Sequence, residues 1–214
     1  MKTILLASLL SISTSHAATL FSLDDFQDGT PQNWQGNSGI LVVPDGGPTG
    51  PGDAYLSMGN PGQARLATFN KKDHSGDYLT AGIVAVTVDM MAPASNPTAP
   101  EMRIVLFTAG ASFSNDRWTS TTAKTVPNDG VWRPYSFSFE EADLTQAQGS
   151  TNYANLIQNV DRLMFRYDPG APDADGVFYG GLVNLDNVQL IPEPSPTLFL
   201  ALTTAALMSR RRRS

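Results

Sequence analysis

The sequence predicts an all-β protein, an antiparallel β-sandwich of the jelly-roll kind, carried between two apolar termini. Three observations predict it. The 214 residues hold 18 Gly and 15 Pro but only 16% charged residues, a turn-rich composition unlike that of a helical bundle. Several runs alternate apolar and polar residues with period two, as half-buried strands do. Clusters of Gly, Pro, Asn and Asp separate those runs, as antiparallel turns require. A length of 214 residues fits one domain with appendages and leaves little room for a second. With no Cys, the core must hold by burial alone, which a domain of about 170 residues can do.

The N-terminus reads as a secretory signal peptide over residues 1–17. Lys2 gives a positive start, residues 4–12 are apolar except for Ser8 and Ser11, and Ser15-His16-Ala17 offers a small-x-small cleavage site. The apolar run is too short to cross a bilayer core of about 30 Å at about 1.5 Å per helical residue.

The domain proper is expected over residues 18–191. Val84, Val86, Val88 and Met90 alternate with Ala85, Thr87 and Asp89. Val131, Arg133, Tyr135, Phe137 and Phe139 alternate with Trp132, Pro134, Ser136, Ser138 and Glu140, and Leu163, Phe165 and Tyr167 alternate with Arg162, Met164 and Arg166. Residues 183–191 read as a last strand. Turn clusters fall at 44–52, 94–100, 127–130 and 169–176. Only 140–148 and 153–160 could form short helices, and neither carries a long apolar stripe. Arg162 and Arg166 read as solvated strand residues.

At the C-terminus, Pro192-Glu193-Pro194 stops the last strand and is followed by an apolar run and by four consecutive Arg, 210–213. As a helix, residues 196–209 would reach roughly 21 Å, a short transmembrane span that needs snorkelling Arg side chains and a thinned bilayer. The Arg cluster keeps that end cytoplasmic and Lys2 does the same for the other, so the middle must lie outside the cytoplasm.

The order of a Pro-Glu-Pro motif, an apolar segment and terminal Arg residues over 192–214 resembles the PEP-CTERM sorting signal of Gram-negative bacteria that make extracellular polysaccharide. The resemblance implies transient insertion in the inner membrane, recognition by an exosortase, removal of the tail, and delivery to the cell surface or the biofilm matrix. A second resemblance spans most of the middle. Asp24-Asp25-Phe26-Gln27-Asp28-Gly29 with Trp34, then Gly52-Asp53-Ala54-Tyr55-Leu56, then Gly130-Val131-Trp132-Arg133-Pro134-Tyr135, and last Leu185-Asp186-Asn187-Val188 are similar in sequence order to jelly-roll modules related to carbohydrate-binding and galactose-binding-like domains. That resemblance implies a structural calcium joining the first and last strands at Asp25 and Asp186, with Asp28 or Asp53 as further ligands. Ca²⁺ takes six to eight oxygens, which carboxylates and loop carbonyls supply; the plain alternative is that these Asp residues only cap turns.

Charge narrows the partners. With Lys2 and the terminal Arg removed, nine basic residues face twenty acidic ones, all of them between Asp24 and Glu193, for a formal charge of −11. Nucleic acid, which needs basic patches, is not the expected partner.

Enzymatic chemistry has few residues to draw on. Of two His, His16 leaves with the signal, and His74 lies in the polar run Lys71-Lys72-Asp73-His74-Ser75-Gly76-Asp77, where it reads as a solvated loop residue. A His-rich zinc site and a Cys nucleophile are excluded. Glu140-Glu141-Ala142-Asp143 lacks the spacing that the resemblance to laminarinase-type jelly rolls would require of a hydrolytic carboxylate pair. A binding role needs less: exposed aromatics on which sugar rings stack, beside polar side chains that fix hydroxyls. Trp118, in the hydrophilic run Asn115-Asp116-Arg117-Trp118-Thr119-Ser120, is the first candidate, Trp34 the second, and Trp132 the third, facing away from Tyr135, Phe137 and Phe139. Two expectations follow: a non-catalytic module that binds polysaccharide or sits within an exopolysaccharide matrix, or a secreted carbohydrate-active enzyme with carboxylates of unrecognised pattern.

Overall fold

The computed structural model describes residues 22–36, 39–59, 65–108 and 116–193. The signal peptide at 1–17, and the sorting signal from Pro194 on with its membrane span, lie outside the described residues. Among the described residues no helix is long and apolar enough to cross a membrane.

Among the described residues thirteen strands form two antiparallel sheets. The first sheet has the order β10 (Arg133–Ser138), β6 (Ile83–Met91), β13 (Leu182–Pro192), β4 (Tyr55–Gly59), β3 (Ile40–Val43), with β1 (Leu23–Asp24) also paired to β13. The second has the order β11 (Leu144–Gln148), β8 (Arg117–Ser120), β7 (Glu101–Thr108), β12 (Val160–Tyr167), β5 (Ala67–Asn70), β2 (Trp34–Gly36), with β9 (Lys124–Thr125) beside β7. The chain crosses repeatedly between the sheets, so the first and last strands become neighbours, as in a jelly roll.

The expected alternation is realised where it is clearest. Val86, Val88 and Met90 of β6 and Val183, Leu185 and Leu190 of β13 point between the sheets, against Met102, Ile104 and Leu106 of β7 and Leu163 and Phe165 of β12. Each side chain of this size stabilises the fold by about 1.5–3 kcal/mol when fully buried, which explains a core that holds without disulfides. Among the described residues two short α-helices pack against each other. In α1 (Tyr78–Ala81), Asp77 accepts from the Thr80 N–H and Gly82 ends the helix at a φ of 66°. In α2 (Tyr153–Gln158), Asn152 accepts from the Asn155 N–H.

The helix expected over 140–148 is not formed. A single 3-10 turn at Glu141–Asp143 leads into strand β11, whose Leu144 enters the core while Leu144, Thr145 and Gln146 pair with Ser120, Thr119 and Trp118. A free edge on β8 and one buried Leu outweigh a weak local helical preference.

Candidate functional site

The outer face of the first sheet gathers most of the side chains singled out in the sequence. Alternation along β13 sends Val183 and Leu185 inward and Asn184 and Asp186 outward, yet both outward residues are buried. Two loops meet near Asp186. Gln27 is the bridge: its Nε2 donates to the Asp25 carbonyl at 2.9 Å and to Asp53 Oδ1 at 2.7 Å, and its Oε1 accepts from the Ala54 N–H at 3.3 Å. Asp53 Oδ2 in turn accepts from the Thr49 N–H at 2.7 Å. Gly47 lies so close to Asp53 that a Cβ would meet its carboxylate at 2.7 Å, so this turn admits only glycine without movement.

Asp186 is consequently a fully buried carboxylate. Its Oδ1 accepts from the Asn187 N–H at 2.8 Å, while Oδ2 is buried with no hydrogen-bond partner. Directly opposite on β6 stands Asp89, which Asn187 Nδ2 reaches at 2.9 Å. Burial pushes the Asp186 carboxyl up to about 7; the Asn187 N–H opposes that shift, and the charges of Asp53, Asp89 and Asp25 add to it. Asn187 adopts a φ of 51° at the β-bulge that follows Asp186, a conformation Asn tolerates better than most residues.

Beside this cluster lies an aromatic pair. Trp132 packs its ring edge-on to Tyr55, with centroids 5.3 Å apart, and its Nε1 donates to the Gly46 carbonyl at 3.0 Å. The turn that presents Trp132 is clamped by a bidentate pair, Arg133 to Asp129 at 2.8 and 2.7 Å, which holds the Asp129 carboxyl down at about 2. On the same sheet a groove of about 420 Å³ runs between β1 and β10, with Thr87, Asp89, Asn187 and Gln189 supplying polar groups and Leu23 and Pro134 forming apolar walls.

The remaining expectations fare differently. Asp28 is exposed and accepts from the N–H and hydroxyl of Thr30, so it caps its own turn and stays outside the Asp25, Asp53 and Asp186 cluster. The cluster instead contains Asp89, which the strand register places opposite Asp186 and which no local motif marked. Trp34 cannot offer a sugar platform: it is 1% exposed, stacked on Phe165 at 5.6 Å, with Nε1 donating to Asp24 Oδ2 at 2.7 Å. Trp118 turns its ring inward against the core and Tyr153, and its Nε1 donates to the Thr151 carbonyl at 3.0 Å, because β8 pairs with β7 instead of forming a hydrophilic loop. His74 is not solvated either; it is fully buried, with Nε2 2.7 Å from Asp24 Oδ2 and its ring against Trp34.

Arg166 and Arg162 also depart from expectation. Arg166 is 2% exposed and donates to Asp168 Oδ2 at 2.7 Å and to the Ala174 carbonyl at 2.8 Å. The Arg162 guanidinium lies over the Phe107 ring at 4.3 Å from its centroid, and that of Arg117 over the same ring at 5.2 Å. With Arg103 donating to the Asp168 carbonyl at 2.9 Å, the outer face of the second sheet is taken up in holding the chain's own loop after β12.

Glu140 and Glu141 are consecutive, exposed residues on one turn and do not face each other across a cleft. Among the described residues no three His, Cys, Asp or Glu side chains already converge as a metal-binding group.

Comparison with known proteins places the fold. No family model and no curated protein matches the sequence. Among solved structures, the chain is similar to the family 11 carbohydrate-binding module of a cellulosomal cellulase of Clostridium thermocellum, at 17% identity and a TM-score of 0.51 over 86% of this chain and 97% of that one. It is similar to a family 22 xylan-binding domain from Paenibacillus barcinonensis, at 13% identity and a TM-score of 0.51 over 80% of this chain and 99% of that one. An exo-β-agarase is also similar, with a TM-score of 0.53 at 13% identity, but the match covers only 25% of the enzyme. The fold is therefore that of carbohydrate-binding jelly rolls.

Proposed function

We propose that this chain is an exported, non-catalytic module that binds polysaccharide across the outer face of its first sheet, and that the tail at 192–214 is a PEP-CTERM signal through which an exosortase delivers it to the cell surface or the exopolysaccharide matrix. One observation carries the binding reading: of the three Trp, Trp132 alone stands clear of the buried core, fixed by Tyr55 and the Gly46 carbonyl, two residues along the chain from Pro134 in the wall of the groove. A rigid aromatic next to amide and carboxylate side chains is what a sugar ring with its equatorial hydroxyls requires. The fold shared with xylan-binding and family 11 modules supports the same reading.

Calcium belongs to the proposal. The orphaned Asp186 oxygen, with Asp25, Asp53 and Asp89 close enough to oppose its ionisation, supports this reading, although the carboxylates do not converge unaided and the ion would have to draw them together. Asp186, Asp25 and Asp53 would hold the ion with help from loop carbonyls. When bound, the ion would neutralise the buried carboxylates and tie the loop carrying Asp53 and Gly46 to the last strand, steadying the Trp132 platform.

The test is a glycan array probed with the purified protein in calcium and in EDTA. Retention on a defined set of polysaccharides is expected; a clean negative in both buffers would move the protein to a purely architectural role. Release of shortened sugars from any bound glycan would favour the enzymatic alternative.

A further inference from the structure

Pro192 and Glu193, the first two residues of the Pro192-Glu193-Pro194 motif, belong to the folded domain. Strand β13 runs to Pro192, which pairs with Ile83 of β6 after a register shift at Ile191. One residue later the Glu193 N–H donates to the Gly82 carbonyl at 2.7 Å. Gly82 is itself fixed: it ends α1 at a φ of 66°, with its own N–H bonded back to the Leu79 and Tyr78 carbonyls. Glu193 also borders a small apolar cleft with Tyr78, Phe139, Tyr153 and Ile157, while its carboxylate side is exposed. Just before this, Leu190 is fully buried in the core.

An enzyme that cuts a peptide bond must take several residues of extended backbone into its own site, so a segment whose backbone is paired in a sheet is sheltered until it opens. We propose that the cut that frees this domain falls beyond Glu193, so that Pro192, in the sheet, and Glu193, bonded to the Gly82 carbonyl, remain at the mature C-terminus and, of these two residues, only the Glu193 side chain is offered to the processing enzyme. In that step the amide C–N bond beyond Glu193 breaks, a nucleophile (water or an amine) bonds to the acyl carbon, and the proton it loses goes to the departing amine. The proposal rests on the reading of residues 192–214 as a sorting signal.

Two measurements test it. In the full-length chain, hydrogen exchange at the Glu193 amide should be slowed at least roughly tenfold relative to an unstructured peptide of the same sequence. Gly82→Val, which strains the left-handed cap, should abolish that protection, whereas Gly82→Asn, which tolerates the conformation, should keep it. Exchange at the peptide rate in the unaltered chain overturns the proposal. The C-terminal peptide of surface-delivered protein, read by mass spectrometry, should end at Glu193 or later; an end before Glu193 overturns the proposal alone. Surface protein that retains the Arg cluster overturns the sorting reading along with it, even where the Glu193 amide is protected.

Discussion

Replacing Asp186 with Asn should have opposite effects with and without calcium. In a chelator, the wild-type carboxyl titrates near 7 in the folded state because it is buried beside three other carboxylates, whereas an unfolded Asp titrates near 3.9. The folded chain therefore binds the proton more tightly, and stability falls as pH rises from about 4 to about 7. Three units at about 1.36 kcal/mol each give a penalty on the order of 4 kcal/mol above pH 7. Asn keeps an oxygen to accept from the Asn187 N–H and brings an NH₂ among acceptors, removing that penalty. At about 2–4 °C per kcal/mol for a domain of this size, Asp186→Asn in EDTA at pH 8 should melt up to roughly 8–16 °C higher than wild type, and at pH 4 about the same. In millimolar calcium the order should reverse, since the variant loses a ligand. Scanning calorimetry at pH 4, 6 and 8, with and without the ion, checks this. A variant that melts lower than wild type in EDTA at pH 8 would refute the claim that the carboxylate is uncompensated.

Other outcomes follow from the same contacts. Wild-type protein should melt higher in excess calcium than in EDTA, by RT ln(1 + [L]/Kd), or about 2.7 kcal/mol at a hundredfold excess over Kd; differential scanning fluorimetry shows it, and identical curves would remove the ion. Trp34→Ala should cost about 3–5 kcal/mol by denaturant titration while leaving the outer face intact, because Trp34 fills the core and donates to Asp24. His74→Ala should destabilise by about 1–3 kcal/mol by the same titration, since it leaves a buried Asp24 with one partner fewer.

What the sequence made legible were the regular parts. Period-two alternation located β6, β10 and β12 to within a few residues, because apolar and polar residues alternate along each of these strands, even on β12, where Arg166 on the outer side is buried too. β7 was invisible to that test: Arg103, Val105 and Phe107 are buried on its outer side as thoroughly as Met102, Ile104 and Leu106 are on its inner side, so no period survives. Trp34 and His74 were misread for a related reason. Their polar neighbours suggested solvent, but Asp24, fifty residues from His74 in sequence, draws both rings inside, and no local pattern encodes such a contact. Asp25, Asp53 and Asp186 were named from their places in the motifs, and the fold brings the first two near enough to act on the charge of the third; that Asp89 does so as well, while Asp28 caps its own turn, is set by strand register and by one Asx turn. Trp132 was placed outward by simple alternation, and Tyr55 became its partner only through the fold.

The most direct measurement is affinity electrophoresis of wild type and Trp132→Ala through gels containing the polysaccharides retained on the array. Loss of the Tyr55 ring contact should cost the variant only about 0.5–1.5 kcal/mol of stability, so it stays folded. Retarded migration of wild type and free migration of the variant is the predicted result. Equal retardation of both proteins would contradict the placement of the glycan on this face.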